Sequence, residues 1–139
     1  MNEETLMTEP AFPTLHLDDV EVVTAPDTSI IRPLARVSGA SMAHGTLLPG
    51  RTSKAVMHPV IEEIWYVLSG RAELWRKHGE RESVMEVGQG TSLAIPTGTH
   101  FQFRTVGNTS FTFIMCTIPP WSGDHDALPV DHFWPVEPD

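Results

Sequence analysis

The chain has 139 residues, of which 40% are hydrophobic and 19% charged, and its formal net charge is -9 at pH 7. This length and composition predict one domain with a hydrophobic core, and the acidic charge disfavours nucleic acids and anionic membranes as partners, because both attract positive surfaces. No apolar run approaches the roughly 20 residues of a membrane span, the N-terminus lacks the pattern of a signal peptide, and a single cysteine, Cys116, fits a reducing compartment, so we expect a cytoplasmic protein.

The first predicted element is a flexible N-terminal arm over residues 1–15, which are acidic and contain prolines. Short strand-like runs follow, separated by turns rich in glycine, proline and asparagine. The runs cover residues 20–23, 30–37, 41–48, 63–68, 71–76, 83–87, 91–95, 101–104 and 111–118. Many short strands with close turns predict an all-β sandwich or small barrel over residues 16–118.

The last predicted element is an irregular tail over residues 119–139. Its five prolines exclude an ordinary helix or a central strand. It nevertheless carries Trp121, Phe133 and Trp134, and large aromatic side chains in an irregular segment need a surface to cover. That surface is either the chain's own barrel or a partner in a two-fold homodimer.

Two spaced motifs lie inside the strand pattern. Residues 50–70 carry His58 and Glu63 between two glycines, and residues 90–105 begin with a glycine and contain the run Pro-Thr-Gly. Both spacings resemble the two motifs of the cupin superfamily, with no gap inside either one.

The resemblance implies a cupin-type conical β-barrel, also called a double-stranded β-helix or jelly roll, with a pocket between its sheets and frequently a homodimer. In typical cupins three histidines and a glutamate hold a divalent metal. Here Val56 and Phe101 stand at two of the histidine positions, and neither side chain offers a lone pair to a metal. His58 and Glu63 match the remaining two positions.

The register of the second motif decides which side chains enter the pocket, because side chains in a strand alternate between faces. Without a slip, Phe101 and Phe103 face inward. A slip or bulge would bring in His100, with Gln102 beside it. The unslipped register is favoured, because the slip would expose two phenylalanines and bury Arg104.

Three hypotheses for function follow, all with a small organic molecule as partner. The first is an enzyme with a weakly bound or absent metal, an isomerase, cyclase, lyase or decarboxylase in which His58 and Glu63 perform acid–base chemistry. The second is a metal-dependent dioxygenase or other oxidoreductase with His58, Glu63 and His100 holding Fe, Mn, Ni or Zn. The third is a non-catalytic binding module. The predicted substrate contacts are Val56, Trp65, Phe101, Gln102 and Phe103.

Overall fold

The computed structural model describes residues 12–137. Most of the predicted N-terminal arm, residues 1–11, lies outside the described residues. Within them the chain forms eleven strands and two 3-10 turns, Leu17–Asp19 and Asp124–Asp126. The strands are β1 (Val23–Thr24), β2 (Ile30–Arg36), β3 (Ser41–Leu47), β4 (Val56–Met57), β5 (Glu62–Ser69), β6 (Arg71–His78), β7 (Arg81–Gly88), β8 (Ser92–Ile95), β9 (His100–Val106), β10 (Phe111–Ile118) and β11 (Leu128–Pro129).

The strands make two antiparallel sheets. One has the order β1-β2-β3-β10-β5-β8 and the other the order β11-β4-β9-β6-β7. Strand β5 shows the alternation on which this packing rests. Its odd-numbered residues from 63 to 67 are buried, while Ile64, Tyr66 and Leu68 are exposed on the outer face. The predicted all-β jelly roll is confirmed.

The prediction differed from the structure at the sheet edges. A strand was expected over residues 20–23, but the chain forms the turn Leu17–Asp19 and pairs only at β1. Strands β4 and β11 were not predicted. Each has two residues and forms because β11 of the tail pairs with β4, which in turn pairs with β9. Pairing of this kind depends on distant segments, so it leaves no periodic signal in either one.

The core between the sheets is built mainly from aromatic side chains. The indole of Trp65 stacks on Phe113 with ring centroids 4.2 Å apart and contacts Phe103 edge to face at 5.1 Å. Gly45, opposite Phe113 in the β3–β10 pair, leaves room for that ring, because a Cβ at this position would collide with it. The inward face of the sandwich is therefore closely packed at this end.

The tail returns to the outer face of the five-stranded sheet. The indole of Trp134 is buried against Ala55 and Trp75, and the Arg104 guanidinium lies 4.4 Å from the Trp134 ring centroid. The sequence analysis left two surfaces as alternatives for the tail, the chain's own barrel and a dimer partner. The tail covers its own barrel, and a homodimer stays a prediction. None of the helical turns between residues 12 and 137 has the length and apolar character needed to cross a membrane.

Candidate functional site

A cavity of about 590 Å³ opens between the sheets. Its walls come from β1 to β5, from β9 and β10, from the turn after β1, and from residues 121–127 of the tail. The volume falls in the range of small-molecule sites in proteins. Its buried polar groups include His58, Glu63 and Asp27, and each of these three is held by a different part of the fold.

His58 directly follows β4 and lies in the cavity wall, with 4% of its surface exposed. Its ring packs edge to face between Phe101 at 5.2 Å and Trp121 at 6.1 Å. The Nδ1 atom is fully buried and has no hydrogen-bond partner among the described residues. Burial lowers the pKa of His58 to about 4, although the charges of Asp27 and Asp126 oppose the shift. The imidazole is therefore neutral at neutral pH and can accept a proton.

Glu63 projects from β5 into the same cavity and is buried. The indole N–H of Trp65 donates to Oε1 at 3.0 Å, and the Thr117 hydroxyl donates to Oε2 at 2.9 Å. Burial raises the pKa of the Glu63 carboxyl, and the hydrogen bonds from Trp65 and Thr117 offset part of the increase. An indole N–H can only donate, whereas a hydroxyl can also accept. A proton on Glu63 is therefore accommodated at Oε2, where the Thr117 hydroxyl can turn to accept it.

Asp27 is a third buried acid in the cavity wall, and the sequence analysis did not identify it. Its Oδ1 accepts hydrogen bonds from the Ser29 backbone N–H at 2.8 Å and the Ser29 hydroxyl at 2.6 Å. Burial raises the pKa of the Asp27 carboxyl, the Ser29 hydrogen bonds lower it, and the nearby Glu63 charge raises it further. The run Pro-Asp-Thr-Ser at residues 26–29 is typical of a turn stabilised by its aspartate, a signal that the sequence analysis did not use. Nothing in that run indicated that the turn faces the cavity.

The apolar wall contains three of the five predicted substrate contacts. Val56 and Phe101 pair directly across β4 and β9, and both side chains line the cavity with Trp65. Phe103 does not line it, because it is buried in the core against Trp65, Phe111 and Phe113. The observed register is the unslipped one.

Gln102 and His100 lie on the other face of β9, since they alternate with the phenylalanines. Gln102 is fully buried beneath the tail, where its amide bonds the backbone of Ser53, Phe133 and Trp134. The expected substrate contact by Gln102 is thereby corrected to a contact with the tail. His100 pairs with Met57 and Lys77 across the sheet and is absent from the cavity wall.

The divalent metal of typical cupins does not fit these residues. The two further ligand positions hold hydrocarbon side chains that form the cavity wall, and both oxygens of Glu63 already accept hydrogen bonds. Over residues 12–137 no three histidine, cysteine, aspartate or glutamate side chains come together as a metal-binding group. The expected set of His58, Glu63 and His100 is not assembled, because the strand alternation turns His100 away.

Comparisons with known proteins place this geometry in context. The family model described as the cupin domain matches residues 43–117, which is more than half of the chain. No curated protein matches it.

Several solved structures share the fold. A variant of Bacillus subtilis oxalate decarboxylase has a TM-score of 0.72 at 14% identity, over 84% of this chain and 32% of that chain. A variant of Streptomyces PAC13 with uridine has a TM-score of 0.68 at 13% identity, over 86% of this chain and 90% of that one. A double-stranded β-helix protein from Klebsiella pneumoniae has a TM-score of 0.61 at 20% identity, over 76% and 88%. The chain spans about a third of the decarboxylase, and at these identities the likeness concerns the fold.

Proposed function

The chain belongs to the cupin domain family, and on that premise we propose that it binds a small organic molecule in its barrel and acts on it by proton transfer through His58 and Glu63. The observation that carries the proposal is the placement of a neutral imidazole and a buried carboxyl in the wall of one cavity. Groups with such shifted pKa values in a cleft are typical of acid–base sites.

The two groups have complementary roles. The imidazole of His58 is neutral at neutral pH and lies in the cavity wall, so its ring can take a proton from a C–H or O–H group of a bound substrate. Burial keeps a proton on Glu63 to higher pH than on an exposed glutamate, so its carboxyl can deliver that proton to a carbonyl or a departing hydroxyl. Isomerisation, elimination and cyclisation all use proton transfers of this kind.

The walls would hold the substrate and exclude water. Trp65, Phe101 and Val56 provide flat and branched apolar surface, and Trp121 of the tail closes one side beside His58. A low-dielectric wall strengthens the interaction of the two polar groups with the reacting atoms. Among the structural neighbours, one is named for oxalate and another is bound to uridine, and small polar molecules of that size class suit the cavity volume.

The decisive variant is Glu63→Gln, which keeps the shape of the side chain and an oxygen for the Trp65 indole but removes the transferable proton. We expect turnover to fall about 100-fold or more, the usual contribution of a general acid or base. The matched control is Glu62→Gln, because Glu62 is the exposed neighbour on the opposite face of β5. Thermal unfolding midpoints of both variants establish that each is folded.

Turnover is followed by proton NMR in D2O on a panel of uncharged hydroxyketones, aldoses and nucleosides, which reports conversion and exchange of carbon-bound protons together. Equal rates for wild type and a folded Glu63→Gln protein would refute the proposal. A panel member that binds in the cavity of the wild-type protein without conversion or exchange would instead assign the non-catalytic binding function.

A further inference from the structure

The charged groups around the cavity are strongly unbalanced. Four acidic side chains and one cationic side chain line it, namely Glu21, Asp27, Glu63, Asp124 and Arg36. The cation is at the exposed rim, where the Arg36 guanidinium donates to the Trp121 carbonyl at 3.4 Å. His58 adds no positive charge at neutral pH. Over residues 12–137, the buried part of the cavity therefore contains two acids and no cation.

The contacts of Asp27 leave one of its carboxyl oxygens without a donor among the described residues. Both of its side-chain hydrogen bonds are to Oδ1, and no described residue donates to Oδ2. The turn that holds it is anchored by the Lys54 N–H, which donates to the Asp27 carbonyl at 2.8 Å. Thr28, the next residue, has a φ of 79°, a conformation that residues other than glycine rarely adopt. The turn thus fixes Asp27 in the cavity wall with one carboxyl oxygen to which no described residue donates.

We propose that the cavity selects an uncharged molecule bearing hydroxyl, carbonyl or amide groups over carboxylates, and that Asp27 is the residue that sets this preference. The inference rests on the proposed function, since it takes the cavity as the substrate site. A carboxylate entering the cavity loses its hydration and finds no buried cation to replace it. Where Asp27 or Glu63 is ionised, the carboxylate is also repelled at close range. The formal net charge of -9 acts in the same direction at longer range.

An uncharged ligand can satisfy the polar groups of the cavity wall without burying a charge. Its hydroxyl or amide N–H groups can donate to Asp27 Oδ2, and its carbonyl can accept from the Glu63 carboxyl when that group carries a proton. The neutral ring of His58 in the same wall adds no charge that such a ligand would have to balance. Asp27 and Glu63 then each gain a partner without a charge being buried.

The test uses ligand pairs that match in size and differ in charge: benzamide with benzoate, and malonamide with malonate. Binding is followed through the indole N–H signals in nitrogen-15 NMR spectra. The Trp121 signal reports on the cavity, and the Trp134 signal, from the opposite face of the sheet, is the internal control. We expect each amide to bind about tenfold or more tightly than its carboxylate at pH 7.

The same pairs are then titrated into Asp27→Asn, in which the amide oxygen can still accept from Ser29. We expect the preference for the uncharged member to shrink about tenfold, while Asp131→Asn, an equal charge change at an exposed tail residue outside the cavity wall, leaves it unchanged. If Asp27→Asn does not fold, the wild-type ratio decides the charge preference, and Asp27→Ser, a second neutral variant, decides whether Asp27 sets it.

Three outcomes overturn the inference in whole or in part, and they differ in what they imply for the proposed function. Carboxylates that bind as tightly as the amides remove the charge selection, and an unchanged preference in a folded Asp27→Asn protein removes its assignment to Asp27. Both outcomes leave the cavity as a binding site. If no member of any pair shifts the Trp121 signal, the cavity does not take small molecules of this size, and the proposed function fails with it.

Discussion

Replacement of Gln102 by alanine tests the attachment of the tail to the barrel. The Gln102 amide nitrogen donates to the carbonyls of Ser53 at 2.8 Å and Trp134 at 2.9 Å, and its oxygen accepts from the N–H groups of Phe133 at 2.8 Å and Trp134 at 2.9 Å. At a net value of about 1 kcal/mol for each hydrogen bond, Gln102→Ala should lower the free energy of unfolding by about 4 kcal/mol. Such a loss is a large fraction of the stability of an ordinary domain.

Urea unfolding at pH 7 measures the loss, and amide hydrogen exchange locates it. We expect the N–H groups of Phe133 and Trp134 to lose protection in Gln102→Ala, because both lose their acceptor. The matched control is Gln89→Ala, since Gln89 is exposed in the β7–β8 turn. A loss below about 1 kcal/mol, with the Phe133 and Trp134 amides still protected, would show that the buried amide does not hold the tail.

Three further predictions concern the cavity and the core. Burial holds the pKa of His58 at about 4 in the folded protein, against an ordinary value of 6.5, so stability present above pH 6.5 is lost as the pH falls. In His58→Asn the loss between pH 6.5 and 5, measured by urea unfolding, should be about 2 kcal/mol smaller, and an identical acid loss in both proteins would contradict the shift. Thr117→Val removes a hydrogen bond to ionised Glu63, so carbon-13 NMR titration should find the pKa of Glu63 raised further, and a lower or unchanged pKa would refute the assigned contact. Gly45→Ala should cost about 1–3 kcal/mol in thermal unfolding through collision with Phe113, whereas Gly39→Ala, which meets nothing within 4 Å, should be nearly neutral; equal stability of the two variants would contradict the packing.

The alternation of buried and exposed side chains was predictable because it is local. In β5 the residues expected to share a face do share it, with Trp65 inside and Tyr66 outside. The same rule placed Phe101 inward on β9. The turn glycines were predictable for a similar reason. Gly70 has a φ of 77° and lies so close to the Ser110 carbonyl that a side chain would collide with it, and glycine is the residue that tolerates both conditions.

Local periodicity also has a limit, which Gln102 illustrates. A polar residue that alternates with buried phenylalanines along a strand is normally expected at a solvated surface or in a pocket. Here the tail covers Gln102, and the Gln102 amide attaches the tail to the barrel. Burial of this face depends on a segment about thirty residues further along the chain. Neither β9 nor the tail, taken alone, therefore predicts that this face is buried.

What the sequence by itself determined is therefore the strand pattern, the turns, and the pairing of His58 with Glu63 in one cavity wall, because motif spacing and two-residue alternation are properties of neighbouring residues. Only the tertiary structure decided that Asp27 joins this pair, and it has the register, already favoured by the sequence, that turns His100 away. It also decided that Trp121 closes the cavity beside His58. These placements depend on contacts between segments far apart in the chain, whose geometry is set when the two sheets pack and the tail folds back over them.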